Sequence, residues 1–230
     1  MTKQMIAAAV VSAALLFGNA SAQKLDKFGA DMGKKSAMGK DMRIPYTDMI
    51  SYYGYVKPGA KPDEERDGKK YYYVYVWIPA VAPEIGIRMI SPVPDKMEPV
   101  EGDMMAPDFK ENMADKTNYF DTWISFERAL EVTAPADAAT KGKTAKWVSY
   151  GNNDDSGEMP AQPSGSKYNS LMRITSETSD PMKSLVAGLY RIGFTTYKKG
   201  EVQGSFLAQI GAPVKLPGVK VAKTLEEIAK

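Results

Sequence analysis

The run KYYYVYVWI at residues 70–78 constrains the fold more than any other stretch of the chain. Side chains of an extended strand point alternately to its two faces. Tyr71, Tyr73, Tyr75 and Trp77 therefore share one face, and Tyr72, Val74, Val76 and Ile78 share the other. Both faces are apolar or amphipathic, so the strand belongs in the middle of a sheet covered on both sides. Aromatic and β-branched residues suit a pleated surface, and Pro79 ends the run.

Further strands are predicted at Asp48–Val56, Ile85–Ile90, Phe120–Arg128, Ala145–Tyr150, Tyr168–Thr175, Leu189–Tyr197 and Val202–Ile210. Short strands punctuated by Pro and Gly indicate an all-β sandwich, of the jelly-roll or immunoglobulin-like kind. The short turn KKGE at 198–201 predicts that the last two strands form an antiparallel hairpin. Helical signals are confined to residues 134–140 and to Thr224, which is placed to cap a final LEEIAK turn.

At the N-terminus, Lys3 precedes the apolar stretch Met5–Phe17 and the small-residue signal Ala20-Ser21-Ala22. This pattern predicts a secretory signal peptide over 1–22, cleaved after Ala22, and thus an exported protein: periplasmic, at the outer-membrane surface, or secreted. The stretch is too short for a convincing bilayer span, and no later stretch is apolar for long enough to give the mature chain a transmembrane segment. Residues 23–45 are charged and dotted with Gly and Met without a clear period, which suggests a mobile N-terminal arm. Residues 46–230 then form a single domain, long enough to bury a sizeable core.

The chain has no cysteine and no histidine. This excludes disulfides, thiolate nucleophiles, zinc–sulfur sites, a lipid-acceptor cysteine and a Ser-His-Asp triad. Any metal must be held by oxygen, which suits calcium or magnesium. The formal net charge is +2, and one unit lower once Lys3 leaves with the leader. That balance argues against a nucleic-acid partner.

Against this background NNDDSGE, residues 152–158, stands out because nothing apolar lies within it. It is a solvated loop, an acid/base pair or a seat for a cation. Adjacent aspartates in an irregular loop can turn to one point, and their repulsion is relieved by a cation. A glycosidase would pair Asp121 with Asp154 or Asp155 at roughly 5–9.5 Å, but nothing in the sequence sets two such environments apart. The methionines between 89 and 113 offer thioethers for Cu(I), although loose spacing favours flexible packing.

Six blocks carry a resemblance that goes beyond these patterns: YYGYVKPG (52–59), YYYVYVWIPAV (71–81), IRMISP (87–92), FDTWI (120–124), KYNSLMRI (167–174) and GLYRIGFTTYKKGEVQGSF (188–206). In order and spacing they resemble the major outer-membrane lipoprotein family of leptospires, also known as haemolysis-associated protein. The resemblance implies a calcium-binding jelly-roll sandwich at the cell envelope that adheres to extracellular-matrix proteins and is not an enzyme. Carried over by position, it implies Ca2+ ligands at Asp121, Thr122, Asp154, Asp155 and Tyr168, the last through its backbone carbonyl. Two departures are evident: type members of the family carry a lipidated cysteine that this chain lacks, and the acidic run is shorter here. Expected partners are extracellular-matrix proteins or surface glycans, and a homodimer is compatible with such a chain. The alternatives are a structural envelope protein without a macromolecular ligand, and a calcium-dependent carbohydrate-binding or hydrolytic protein.

Overall fold

The computed structural model describes residues 28–37, 39–97, 99–198 and 200–230. The leader and the first residues of the arm lie outside them. The strands in chain order are β1 (Gly29–Ala37), β2 (Lys40–Pro45), β3 (Asp48–Val56), β4 (Glu64–Arg66), β5 (Lys69–Ile78), β6 (Glu84–Ile90) and β7 (Met104–Met105). They continue with β8 (Thr122–Ala129), β9 (Trp147–Asn153), β10 (Ser170–Thr175), β11 (Gly188–Thr196), β12 (Gly204–Ala212) and β13 (Lys220–Ala222). Three short helices are α1 (Pro107–Asn112), α2 (Ala138–Lys141) and α3 (Leu225–Ala229).

One sheet has the order β10-β6-β12-β3-β7, the other β13-β5-β11-β8-β9 with β4 on the β5 edge. Among the eight long strands of these two sheets, β8 and β9 alone are consecutive in the chain and paired with each other. Every other connection between them crosses from one sheet to the other, which is the jelly-roll arrangement.

That topology overturns the hairpin expected around KKGE. Strand β11 pairs with β5 and β8, whereas β12 pairs with β3 and β6 in the opposite sheet. Both strands are buried along their whole length. Each finds partners on both edges that cover it fully, so the tertiary pairing overrides the local turn signal and the turn becomes a bridge between sheets.

The alternation read from the KYYYVYVWI run sets the core. Tyr72, Val74, Val76 and Ile78 face inward and meet Ile85, Ile87, Phe126, Ile192 and Phe206 of the neighbouring strands. Ring contacts knit the two sheets and their strands together, with Phe194 and Phe206 at 4.7 Å between centroids and Phe126 stacked on Tyr190 at 5.0 Å. Gly54 is required beneath Phe206, because a Cβ there would lie 2.2 Å from the ring. On the outer face of the β5 sheet, Trp77, Ala129 and Leu189 are covered by Leu225 and Ile228 of α3. Thr224 caps that helix in a reciprocal capping box with Glu227, as its position in the sequence suggested.

The outer face of the β6 sheet is covered by Phe109 of α1 together with Met97 and Met159, which pack on Tyr53, Leu171 and Leu207. The same sheet holds a fully buried cation, Arg88, whose guanidinium lies 4.3 Å over the Phe28 ring. Its three nitrogens have no hydrogen-bond partner among the described residues. Burial pushes its pKa down to about 10.

Where the sequence suggested a mobile arm, residues 29–45 form the antiparallel hairpin β1-β2. Its base is held by polar contacts between residues distant in the chain. The buried Glu84 carboxylate accepts from the Asp31 and Met32 amides at 3.0 and 2.9 Å and from the Tyr46 hydroxyl at 3.0 Å. Arg173 donates to the Gly29 carbonyl at 2.7 Å. Residues 31–37 are exposed, so this hairpin buries no face of its own and leaves no periodic signature in the sequence.

An unpaired buried charge costs more than an apolar group of the same shape. Arg88→Met is therefore expected to raise stability by about 1–3 kcal/mol, read as a higher urea midpoint at unchanged slope. A lower midpoint would show that the cation is compensated.

Candidate metal centre

The jelly-roll connections bring three loop ends to one rim of the sandwich. Asp121 immediately precedes β8, Asp154 and Asp155 immediately follow β9, and Tyr168 stands two residues before β10. The register of the β8–β9 pair matches Ile124 with Asn153, which sets Asp121 and Asp154 at the same end of that pair. Strand β10 belongs to the other sheet, so Tyr168 approaches this end of the β8–β9 pair from the opposite layer.

Carboxylate oxygens of Asp121, Asp154 and Asp155 lie within 4.8 Å of one another. Oδ1 of Asp121 and Oδ1 of Asp154 are buried without a hydrogen-bond partner among the described residues. The surroundings raise the proton affinity of all three. Asp121 is pushed up from 3.8 to about 6, first by burial and then by the charges of Asp155 and Asp154, with Lys198 and Lys69 opposing. Asp154 is raised by burial and by Asp155, and Asp155 by burial although it stands at the exposed edge.

Thr122 and Tyr168 meet next to this cluster. The Tyr168 carbonyl accepts from the Thr122 amide at 3.0 Å and from its hydroxyl at 3.3 Å. It also accepts from the Gln162 amide nitrogen at 3.4 Å. Ser170 closes the junction: its amide donates to the Thr122 hydroxyl at 2.8 Å, and its hydroxyl bonds the Thr122 and Asp154 carbonyls. The Ser156 amide donates to the Asn169 carbonyl, and the Leu171 amide to the Asn153 side chain, so the acidic loop is sewn to β10 on both flanks.

The donor set consists of oxygen alone. Oxygens bound to one calcium ion at about 2.3–2.6 Å stand no more than about 5 Å apart, and the three carboxylates satisfy that limit. Calcium accepts mixed carboxylate, carbonyl and hydroxyl ligands in flexible geometry. The three aspartates therefore fit it. As an acid/base pair these carboxylates are poorly differentiated, since burial raises all three.

The profile of the Lipl32 family, the surface lipoproteins of the Spirochaetales order, matches residues 40–221. The chain belongs to this family. The matched span runs from β2 into β13 and contains every residue of the centre. Membership places the protein at the cell envelope. No curated protein matches the chain. Among the described residues no helix is long and apolar enough to cross a membrane, which says nothing of strands.

Of the five positions the resemblance implied, the structure brings the carboxylates of Asp121, Asp154 and Asp155 together and sets Thr122 and Tyr168 beside them; the residues that support this junction carried no such signal. Ser170, buried and bonded to both Thr122 and Asp154, lies within the KYNSL block. Gln162 carried no local signal; it is buried and bridges the Ser91, Phe120 and Tyr168 carbonyls.

The raised Asp121 pKa sets a pH dependence. The folded chain keeps this proton to about pH 6, whereas a free carboxyl releases it near 3.8. Its contribution to metal-free stability is present below 3.8 and is lost as the pH rises through about 6. In EDTA, Asp121→Asn is therefore expected to match the wild-type melting temperature at low pH and to exceed it at pH 7. A variant that melts lower than wild type at pH 7 in EDTA would contradict this reading.

Proposed function

We propose that the protein is a non-enzymatic, calcium-binding member of this surface family, in which the ion orders one rim of the sandwich as part of an adhesive face for extracellular-matrix proteins. The observation that carries the proposal is the meeting of three carboxylates of raised proton affinity, two of them with a buried oxygen that lacks a partner among the described residues. Like charges held this close are unfavourable until a cation joins them. The residues that would hold it are Asp121, Asp154 and Asp155 for charge, with Thr122 and the Tyr168 carbonyl completing the oxygen shell. The ion supplies a fixed positive centre that draws the β8, β9 and β10 ends together. Adhesion rests on membership of a surface family and on exposed side chains near this rim, Tyr168 and Tyr197 among them.

The size of the effect follows from linkage. Extracellular modules bind calcium with dissociation constants of about 10⁻⁴–10⁻³ M, and a tenfold excess of free ion then stabilises by about 1.4 kcal/mol. For a chain of this size that is a rise of roughly 3–6 °C in melting temperature. Thermal scans in calcium and in EDTA should differ by this amount, and Asp154→Ala with Asp155→Ala should abolish the difference. Superimposable wild-type curves would remove the site. For the adhesive role, saturable binding to immobilised matrix proteins should weaken in EDTA. Absence of any saturable binding would leave a structural envelope role instead.

A further inference from the structure

Away from the acidic rim, the outer face of the six-stranded sheet carries a polar cleft of about 430 Å³. Its floor is formed by Tyr73 and Tyr75 of β5, Trp147 of β9 and Arg191 of β11. The start of α3 and the loop after α2 overhang it, so that Glu226 and Lys143 stand at its mouth. Volumes of about 300–1,000 Å³ are typical of small-molecule sites. We propose that this cleft is a binding subsite for a small neutral saccharide.

Charge defines the class of ligand. Arg191 is ion-paired with the buried Glu127 at 2.6 Å, and Glu127 also receives Arg66 at 3.1 Å. Arg66 further pairs with Glu64 at 3.1 Å. Lys223 is paired with Asp63 and donates to the Tyr73 carbonyl at 2.9 Å, while Lys143 meets Glu226 at 2.6 Å. Each cation of the cleft already faces an acid. An anionic or cationic ligand would have to break one of these pairs. The hydroxyls of a polyol instead add to the remaining carboxylate lone pairs and ammonium hydrogens, since an ionised carboxylate offers about four acceptor sites.

The aromatic floor supplies the second half of the recognition. Tyr75 and Trp147 are both half-buried, with their ring centroids 6.2 Å apart. The Arg191 guanidinium lies 3.9 Å over Tyr73 and 4.2 Å over Trp147, which fixes those rings before any ligand arrives. A pyranose presents an apolar C–H face to the accessible parts of Tyr75 and Trp147 and its hydroxyls to the charged rim. Rings held in advance lose little freedom on binding.

The subsite is independent of the proposed calcium site. Trp147 pairs with Ala129, whereas Asn153, next to the acidic loop, pairs with Ile124. Six residues of extended strand separate the two ends by roughly 20 Å.

The test is isothermal titration calorimetry of the full-length protein with neutral disaccharides (maltose, lactose, mannobiose, chitobiose) and acidic ones (sialyllactose, a heparin disaccharide). At least one neutral disaccharide should bind saturably and equally well in EDTA, and Trp147→Ala should weaken it tenfold or more. The exposed rim variant Glu226→Gln/Lys143→Met should weaken it severalfold with an unchanged melting temperature. Saturable binding of acidic sugars alone, or of none, overturns the assignment. So does binding that EDTA abolishes, or wild-type affinity in a correctly folded Trp147→Ala. Should Trp147→Ala fail to fold, wild-type affinity in the rim variant overturns it equally.

Discussion

Aromatic packing between the two sheets decides where each loop of this protein ends. Phe194 of one sheet meets Phe206 of the other at 4.7 Å, and Phe120 and Tyr72 extend the same ring cluster. Once that interface is set, strand lengths and registers leave little freedom to the connections. Residues 120–122 must emerge beside the end of β9, and the approach to β10 must cross from the acidic loop to the opposite sheet. Ser170 and Thr122 then bond across the junction between layers. The carboxylate cluster is thus a product of topology: two segments far apart in sequence, at Asp121 and at Asp154-Asp155, reach one rim because their strands are fixed by the core.

The six-stranded sheet carries two groups of acids that differ in how their charge is met. Glu127 and Glu64, on its outer face, each face arginine, and Tyr73 adds a hydrogen bond to Glu64. Such a network is satisfied internally, and breaking it from either side would strand a buried charge. At the rim, burial and then mutual repulsion raise the proton affinities of Asp121 and Asp154, against the opposing charge of Lys69 and, for Asp121, Lys198 among the described residues. The first group is neutralised within the sheet, whereas the second keeps an excess of negative charge, which is what the proposed cation would offset.

Much of this was legible in the sequence, for identifiable reasons. Aromatic and β-branched composition located β3 at Asp48–Val56 and alternation set both faces of β5, because a strand buried on two sides leaves an apolar record on each. The sandwich followed from the number of such strands, and Thr224 announced its helix through capping chemistry. What was not legible depends on contacts between distant residues. The KKGE turn looks like a hairpin locally and proves to be a bridge between sheets, because edge pairing is decided by burial elsewhere. The β1-β2 hairpin was invisible since its support comes from Glu84 and Arg173, far along the chain. At the centre, the residue types and the family resemblance pointed to the aspartates. Gln162 and the cleft around Trp147 gave no linear signal, as their roles arise only when separate loops fold over the sheet.

The central claim is that oxygens from separate segments of this rim hold one divalent cation. A crystal structure of the protein grown in millimolar calcium, with anomalous data to identify the metal, tests it most directly. The expected result is a single ion bonded to carboxylate oxygens of Asp121, Asp154 and Asp155 at about 2.3–2.6 Å. Water or a lysine ammonium among these aspartates, with calcium absent or bound elsewhere, would contradict it.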